Sequence, residues 1–219
     1  MDRNKLKGFV LDVDGTLYSQ KKMRIRMLGR LLAYYVPRPD RLRELYALFL
    51  FRKLREQSEW KRAGFEDLFL ELEKKAKLPA ARIEERIRYW MFRAPLDSIK
   101  ACAFRDVIAF INRQHRDGKR IIVYSDYPAA DKLKALGMAY DLVFAFEENG
   151  ISEQKPSRRI METIVSESGC RADQLLYVGD RDDRDRASAE TVSMPYCDIR
   201  QFRRIISSAE EIPYDTACR

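Results

Sequence analysis

Two hydrophobic patterns alternate along this chain. The runs Phe9-Val10-Leu11, Ile121-Ile122-Val123-Tyr124, Leu142 to Phe146 and Leu175-Leu176-Tyr177-Val178 are short, continuous and bounded by turn residues. Such runs predict strands buried on both faces, as in a parallel sheet. The strands are expected at about 7–13, 121–124, 142–146 and 175–178, with a short fifth from Thr191 to Tyr196. Helical spacing separates the later ones: about 104–117, from near Pro128 to Gly137, and about 157–168 before Gly169. Strands alternating with helices predict an α/β fold with a doubly wound parallel sheet.

From about Gln20 to Arg93 only the helical period is present. Met23, Met27, Leu31 and Tyr34 recur at three or four, as do Leu42, Leu45, Leu48, Phe49 and Leu68, Leu72. Pro37-Arg38-Pro39, Gly64 and Pro79 divide this stretch, Asp40 favours a helix start, and Ala94-Pro95 closes it, giving four helices. Aromatic residues such as Tyr34, Tyr35, Trp60, Trp90 and Phe92 supply the core of a small bundle. The expected organisation is an α/β core of residues 1–19 and 94–219, interrupted by a helical insert of residues 20–93.

The polar residues at the strand ends carry the chemistry. In open α/β sheets, ligands bind beyond the carboxyl ends of the strands. The first strand ends in Asp12-Val13-Asp14-Gly15-Thr16, two carboxylates one residue apart on a glycine turn. Carboxylates this close repel, so the site wants a cation, a shared proton or both. The second strand ends at Ser125-Asp126, Lys155-Pro156 follows the third, and the fourth runs into Gly179-Asp180-Arg181-Asp182-Asp183-Arg184-Asp185. Each has a plain reading as a turn, a cap, a surface lysine or a solvated charged loop. All four at strand ends, in order, point to one site.

Composition narrows the chemistry. The chain has 219 residues, 46% of them hydrophobic, enough for one large domain carrying an insert. Its +8 charge is local: residues 20–62 hold 13 basic and 4 acidic side chains, a balance of +9. That surplus fits a phosphorylated ligand, an anionic membrane, nucleic acid or a solvated helical face, and the last is the commonest case. Cys102, Cys170, Cys197 and Cys218 form no C-x-x-C pair, which predicts free thiols in a reducing compartment. With His115 the only histidine, no serine or cysteine triad and no histidine metal centre is expected, and acid–base work falls to carboxylates. Met1-Asp2-Arg3-Asn4-Lys5 has no apolar signal core, and Leu45 to Phe51 is far short of a membrane span. A cytoplasmic protein is expected.

In this order, Asp12-Val13-Asp14-Gly15-Thr16, Ser125, Lys155-Pro156 and Gly179-Asp180 with Asp185 resemble the four motifs of the haloacid dehalogenase-like hydrolases. The resemblance covers about residues 6–18 and 96–200. It implies a Rossmann-like core, and the insert resembles the helical cap of the phosphoglycolate phosphatase-like class. It further implies that Asp12 is a nucleophile forming an aspartyl-phosphate, and that Asp14 is a general acid–base. Lys155 would neutralise the transferring group, with Ser125, Thr16 and Asp126 on the substrate side. Asp12, Asp180, the Asp14 carbonyl and Asp185 would serve Mg²⁺, with Asp183 the alternative to Asp185. Dehalogenases of this superfamily lack the second carboxylate, so Asp14 favours phosphate chemistry.

The implied activity is hydrolysis of a small phosphomonoester. A sugar phosphomutase and a non-catalytic phosphate- or partner-binding module are the alternatives. The module reading expects losses among Asp12, Asp14, Lys155 and Asp180, and all are present. The basic insert suggests a substrate with a second anionic group, with Arg24 and Arg26 as its contacts. Nucleic acid is not the favoured partner.

Overall fold

The computed structural model describes residues 6–55, 57, 64–146, 148, 151 and 153–208. Met1–Lys5, Trp60 and Cys218, which entered the sequence reading, lie outside the described residues. The chain forms two compact units that divide at Ser19/Gln20 and at Cys102/Ala103.

The first unit is built on five parallel strands: β1 (Gly8–Leu11), β2 (Arg120–Ser125), β3 (Leu142–Ala145), β4 (Leu175–Gly179) and β5 (Tyr196–Asp198). Their order is β3-β2-β1-β4-β5, so the chain winds outward from β1 in both directions. Leu11 registers with Val123 on one side and Val178 on the other. The ends of β1, β2 and β4 therefore lie side by side.

Both faces of the sheet are covered, which is why the strands read as continuous apolar runs. Val10, Ile122, Tyr124 and Tyr177 pack with Ile160, Met161 and Ile164 of one helix. On the other face Phe9, Phe110 and Phe202 meet edge to face, with centroids 5.6 to 6.1 Å apart.

The second unit holds α1 (Gln20–Tyr35), α2 (Leu42–Arg55), α3 (Phe65–Ala76), α4 (Ala80–Ile87) and α5 (Leu96–Cys102), with a π-helical turn over Arg88–Arg93. Phe51, Phe65 and Phe69 form its aromatic core, extended by Phe92 against Phe65 at 5.5 Å. Glu44 is buried and is neutralised by Arg82 at 2.8 Å. Of the repeat read in α2, Leu48 is buried while Leu42 and Phe49 are exposed.

The helices of the first unit are α6 (Arg105–Arg116), α7 (Ala130–Leu136), α8 (Arg158–Ser168), α9 (Ala187–Glu190) and α10 (Ile199–Ser208). Two features depart from expectation. Ala94–Cys102 belongs to the helical unit, because Arg30 of α1 donates to the Ala94 carbonyl (2.6 Å) and pairs with Asp97 (3.0 Å). The fifth strand is not Thr191 to Tyr196. Thr191–Ser193 instead closes α9, with the Met194 amide on the Ala189 carbonyl (2.9 Å), and pairing with β4 begins at Tyr196. The α10 helix was not anticipated. No helix among the described residues is long and apolar enough to cross a membrane.

Candidate active site

The site is assembled at the carboxyl ends of β1, β2 and β4. Asp12 follows β1 directly and is buried, with its backbone amide held by the Val178 carbonyl (3.0 Å). One carboxylate oxygen accepts from Lys155 Nζ (2.7 Å) and the other from Thr16 Oγ1 (3.1 Å). Lys155 Nζ also donates to Asp185 (2.8 Å), so one ammonium bridges two carboxylates brought from different loops. The rings of Tyr124 and Tyr177 flank it, at 5.0 and 5.6 Å. Burial works against the Lys155 charge, but Asp12 and Asp185 more than offset it and hold the ammonium well above its ordinary range.

Asp12, Asp180 and Asp185 each bring one carboxylate oxygen within 4.8 Å of the others. Burial pushes the Asp12 carboxyl up, against the pull of Lys155, and Asp185, Asp180 and Asp14 add repulsion. Burial likewise raises Asp180, to about 6, with Asp185 the next cause. Three crowded carboxylates for one ammonium leave a local excess of negative charge. An oxygen-only donor set of this kind fits a hard divalent cation such as Mg²⁺. Gly15 makes the approach feasible: it adopts φ +112°, and a Cβ there would collide with the Asp180 carboxylate.

The loop after β4 places its two candidate aspartates differently. The Asp185 side chain is 2% exposed and accepts from the amides of Asp180 (3.1 Å) and Arg181 (3.0 Å) and from the Tyr177 hydroxyl (3.2 Å). The Asp183 side chain is 66% exposed and pairs outward with Arg181. A π-helical turn over Asp182–Arg186 produces this split.

Asp14 carries partners that sequence reasoning missed. Lys132 Nζ lies 2.6 and 2.8 Å from its two oxygens, and the Tyr18 hydroxyl also donates to it. Burial would raise the Asp14 carboxyl, yet Lys132 and Tyr18 overcome this and hold it below the ordinary value. The signal was present: Lys132 occupies an inward position of α7, between buried Ala129, Leu133 and Leu136.

Ser125 is buried at the end of β2, its Oγ accepting from the Tyr127 amide (3.3 Å). Asp126 was expected on the substrate side. Its oxygens are instead committed within the protein, one to the Lys155 amide (2.7 Å) and one to Arg184 Nη1 (2.6 Å). Asp126 thus ties the loops after β2 and β4 to the segment bearing Lys155. Nothing in the alternating charges of residues 181–186 marked Arg184 as buried. Arg24 and Arg26 belong to the helical unit, exposed on α1, with Arg24 donating to Gln20 (2.7 Å).

A family description, haloacid dehalogenase-like hydrolase, matches residues 6–192. The chain belongs to this family. Solved structures agree on the fold. Magnesium-bound YfnB of Bacillus subtilis superposes with a TM-score of 0.67 at 14% identity, over 94% of this chain and 99% of that one. A 2-haloacid dehalogenase of Pseudomonas syringae pv. Tomato DC3000 gives 0.59 at 19%, over 88% and 85%. CbbY of Rhodobacter sphaeroides, in complex with phosphate, gives 0.57 at 16%, over 88% and 85%. No significant sequence match to a curated protein was found. This haloacid dehalogenase-like hydrolase thus shares its fold with a protein described as a dehalogenase and with one solved in complex with phosphate.

Proposed function

We propose that this hydrolase is a Mg²⁺-dependent phosphatase that cleaves a small phosphomonoester through an aspartyl-phosphate. The observation that carries this reading is Asp14, a second, largely enclosed carboxylate beside Asp12 with its own cationic partner. Halide departure needs no proton, whereas an alkoxide leaving group does.

Asp12 is positioned as the nucleophile. Lys155 and Thr16 fix its carboxylate, and an oxygen attacks phosphorus as the bond to the leaving oxygen breaks. Asp14 passes a proton to that oxygen, drawing on the Lys132 ammonium hydrogen-bonded to it. In the second half Asp14 takes a proton from water as the hydroxide attacks phosphorus. Inorganic phosphate leaves, and Asp12 and Lys132 regain their starting states. Lys155 offsets the charge gathering on the phosphoryl oxygens, and Ser125 offers a hydroxyl to one of them. Asp12, Asp180 and Asp185 would hold Mg²⁺, which supplies Lewis-acid charge neutralisation when bound.

The test is phosphate release from a panel of phosphomonoesters with Mg²⁺, comparing wild type with Asp12→Asn. The variant keeps the shape and loses the attacking charge, so turnover should fall at least ~10³-fold, about 4 kcal/mol of barrier. Near-normal turnover in a folded variant would overturn the covalent mechanism. A wild type inert towards every ester would overturn the reading itself.

A further inference from the structure

Among the described residues, helix α1 carries one buried and one exposed apolar face. Met23, Met27 and Tyr35 are buried. Ile25, Leu28, Leu32 and Val36 are 64%, 57%, 52% and 72% exposed. At 100° per residue these four fall within an arc of about 80°, a continuous stripe along the helix and its last turn. A surface helix normally presents charge on its outer side, so a contiguous outward stripe marks an interaction surface. A second outward stripe lies on α2, where Leu42, Tyr46 and Phe49 are 52%, 49% and 63% exposed.

The charges around the stripe identify the partner. Helix α1 has five basic residues and no acidic one. Lys21, Lys22, Arg24 and Arg26 are exposed beside the N-terminal half of the stripe. Glu44, the only carboxylate of α2, is buried against Arg82, whereas Arg43, Arg52 and Lys53 are exposed. A second copy of the chain laid on this face would set lysines and arginines against their like. Apolar side chains flanked mostly by basic groups, with the exposed Asp40 lying beside Arg41 (3.8 Å), suit an anionic bilayer: the stripe enters the acyl boundary while the basic groups meet lipid phosphates. We propose that α1 docks the helical unit on an anionic membrane surface, lying in the interface without spanning it. The proposal is independent of the phosphatase reading.

Flotation of the full chain with vesicles tests this. Binding to an equal mixture of phosphatidylcholine and phosphatidylglycerol should be at least ~10-fold tighter than to phosphatidylcholine alone, and should weaken as salt is raised. The double variant Leu28→Asp with Leu32→Asp should lose at least ~10-fold in vesicle binding while keeping its helical circular dichroism and phosphate release. Equal binding to both vesicle types, or no binding to either, overturns the proposal. So does a stripe-dependent dimer in size exclusion that leaves vesicles unbound. If the double variant does not fold, the lipid and salt dependence of the wild type decides by itself.

Discussion

Replacing Lys132 by Met isolates what the ion pair with Asp14 does, because Met keeps the chain length and removes the charge. Lys132 is buried and Asp14 largely enclosed, with side chains 7% and 16% exposed and Nζ 2.6 Å from the carboxylate. Removing one partner strands the other, and for a buried pair that costs about 3–5 kcal/mol. Its pH dependence follows from the signs. In the wild type Asp14 lies below its ordinary 3.8, so its contribution is full above 3.8 and is lost only as pH falls through the lowered value. Without Lys132 burial, the largest cause, is opposed only by Tyr18 and Lys155, and the carboxyl is expected to rise above 3.8. The variant is then penalised as pH climbs through that window, because folding must bury an unpaired charge. The stability difference should therefore widen from pH ~4 to ~7 and level off near the full cost of the broken pair. Urea unfolding of both proteins across this range measures it, with Lys132→Arg as the charge-keeping control. A difference below about 1 kcal/mol, or one independent of pH, would refute the assignment. Activity adds a second arm. Hydrolysis of an alkyl phosphate should fall ~10²-fold or more and that of p-nitrophenyl phosphate less, since a phenolate needs little help from an acid. Equal losses on both would reduce Lys132 to a structural residue.

Two further perturbations address the metal. A chelator should abolish phosphate release and Mg²⁺ restore it, with Ca²⁺ a poor substitute because it prefers more ligands and longer distances. Since Asp180 sits near 6, protons compete there, and the Mg²⁺ needed for half-maximal activity should rise as pH falls through about 6. Full activity after exhaustive chelation, or a flat requirement across that pH, would contradict the site. Gly15→Ala forces a Cβ onto the Asp180 carboxylate, whereas Gly118→Ala meets only the strain of φ +82° in open space. Both should lose about 1–2 kcal/mol of stability, but only the Gly15 variant should also lose activity and Mg²⁺ affinity. Equal activity in the two would show that Asp180 is not approached through Gly15.

The strands were legible because their signal is local. Phe9–Leu11, Ile121–Tyr124 and Leu175–Val178 are apolar on both faces wherever they lie in the sheet, and turn residues bound each one. The polar residues at their ends could be read in order for the same reason, since the end of a parallel strand is where the sheet presents side chains. The last strand was misplaced because Thr191–Ser193 has β-favouring composition, yet its backbone is spent on closing α9. What no local pattern contains is pairing across the fold. Lys155 finds Asp12 143 residues away, Lys132 finds Asp14 over 118, and Arg184 finds Asp126 over 58. These meetings exist because β1 lies between β2 and β4, which sets three loops side by side. The same holds for which of Asp183 and Asp185 is buried, since composition treats two aspartates in one loop alike until a π-helical turn encloses one. On the helices, periodicity marked apolar faces but not which would find a neighbour. Met27 and Leu28 are adjacent and both apolar in the sequence, and only tertiary packing covers one and leaves the other exposed.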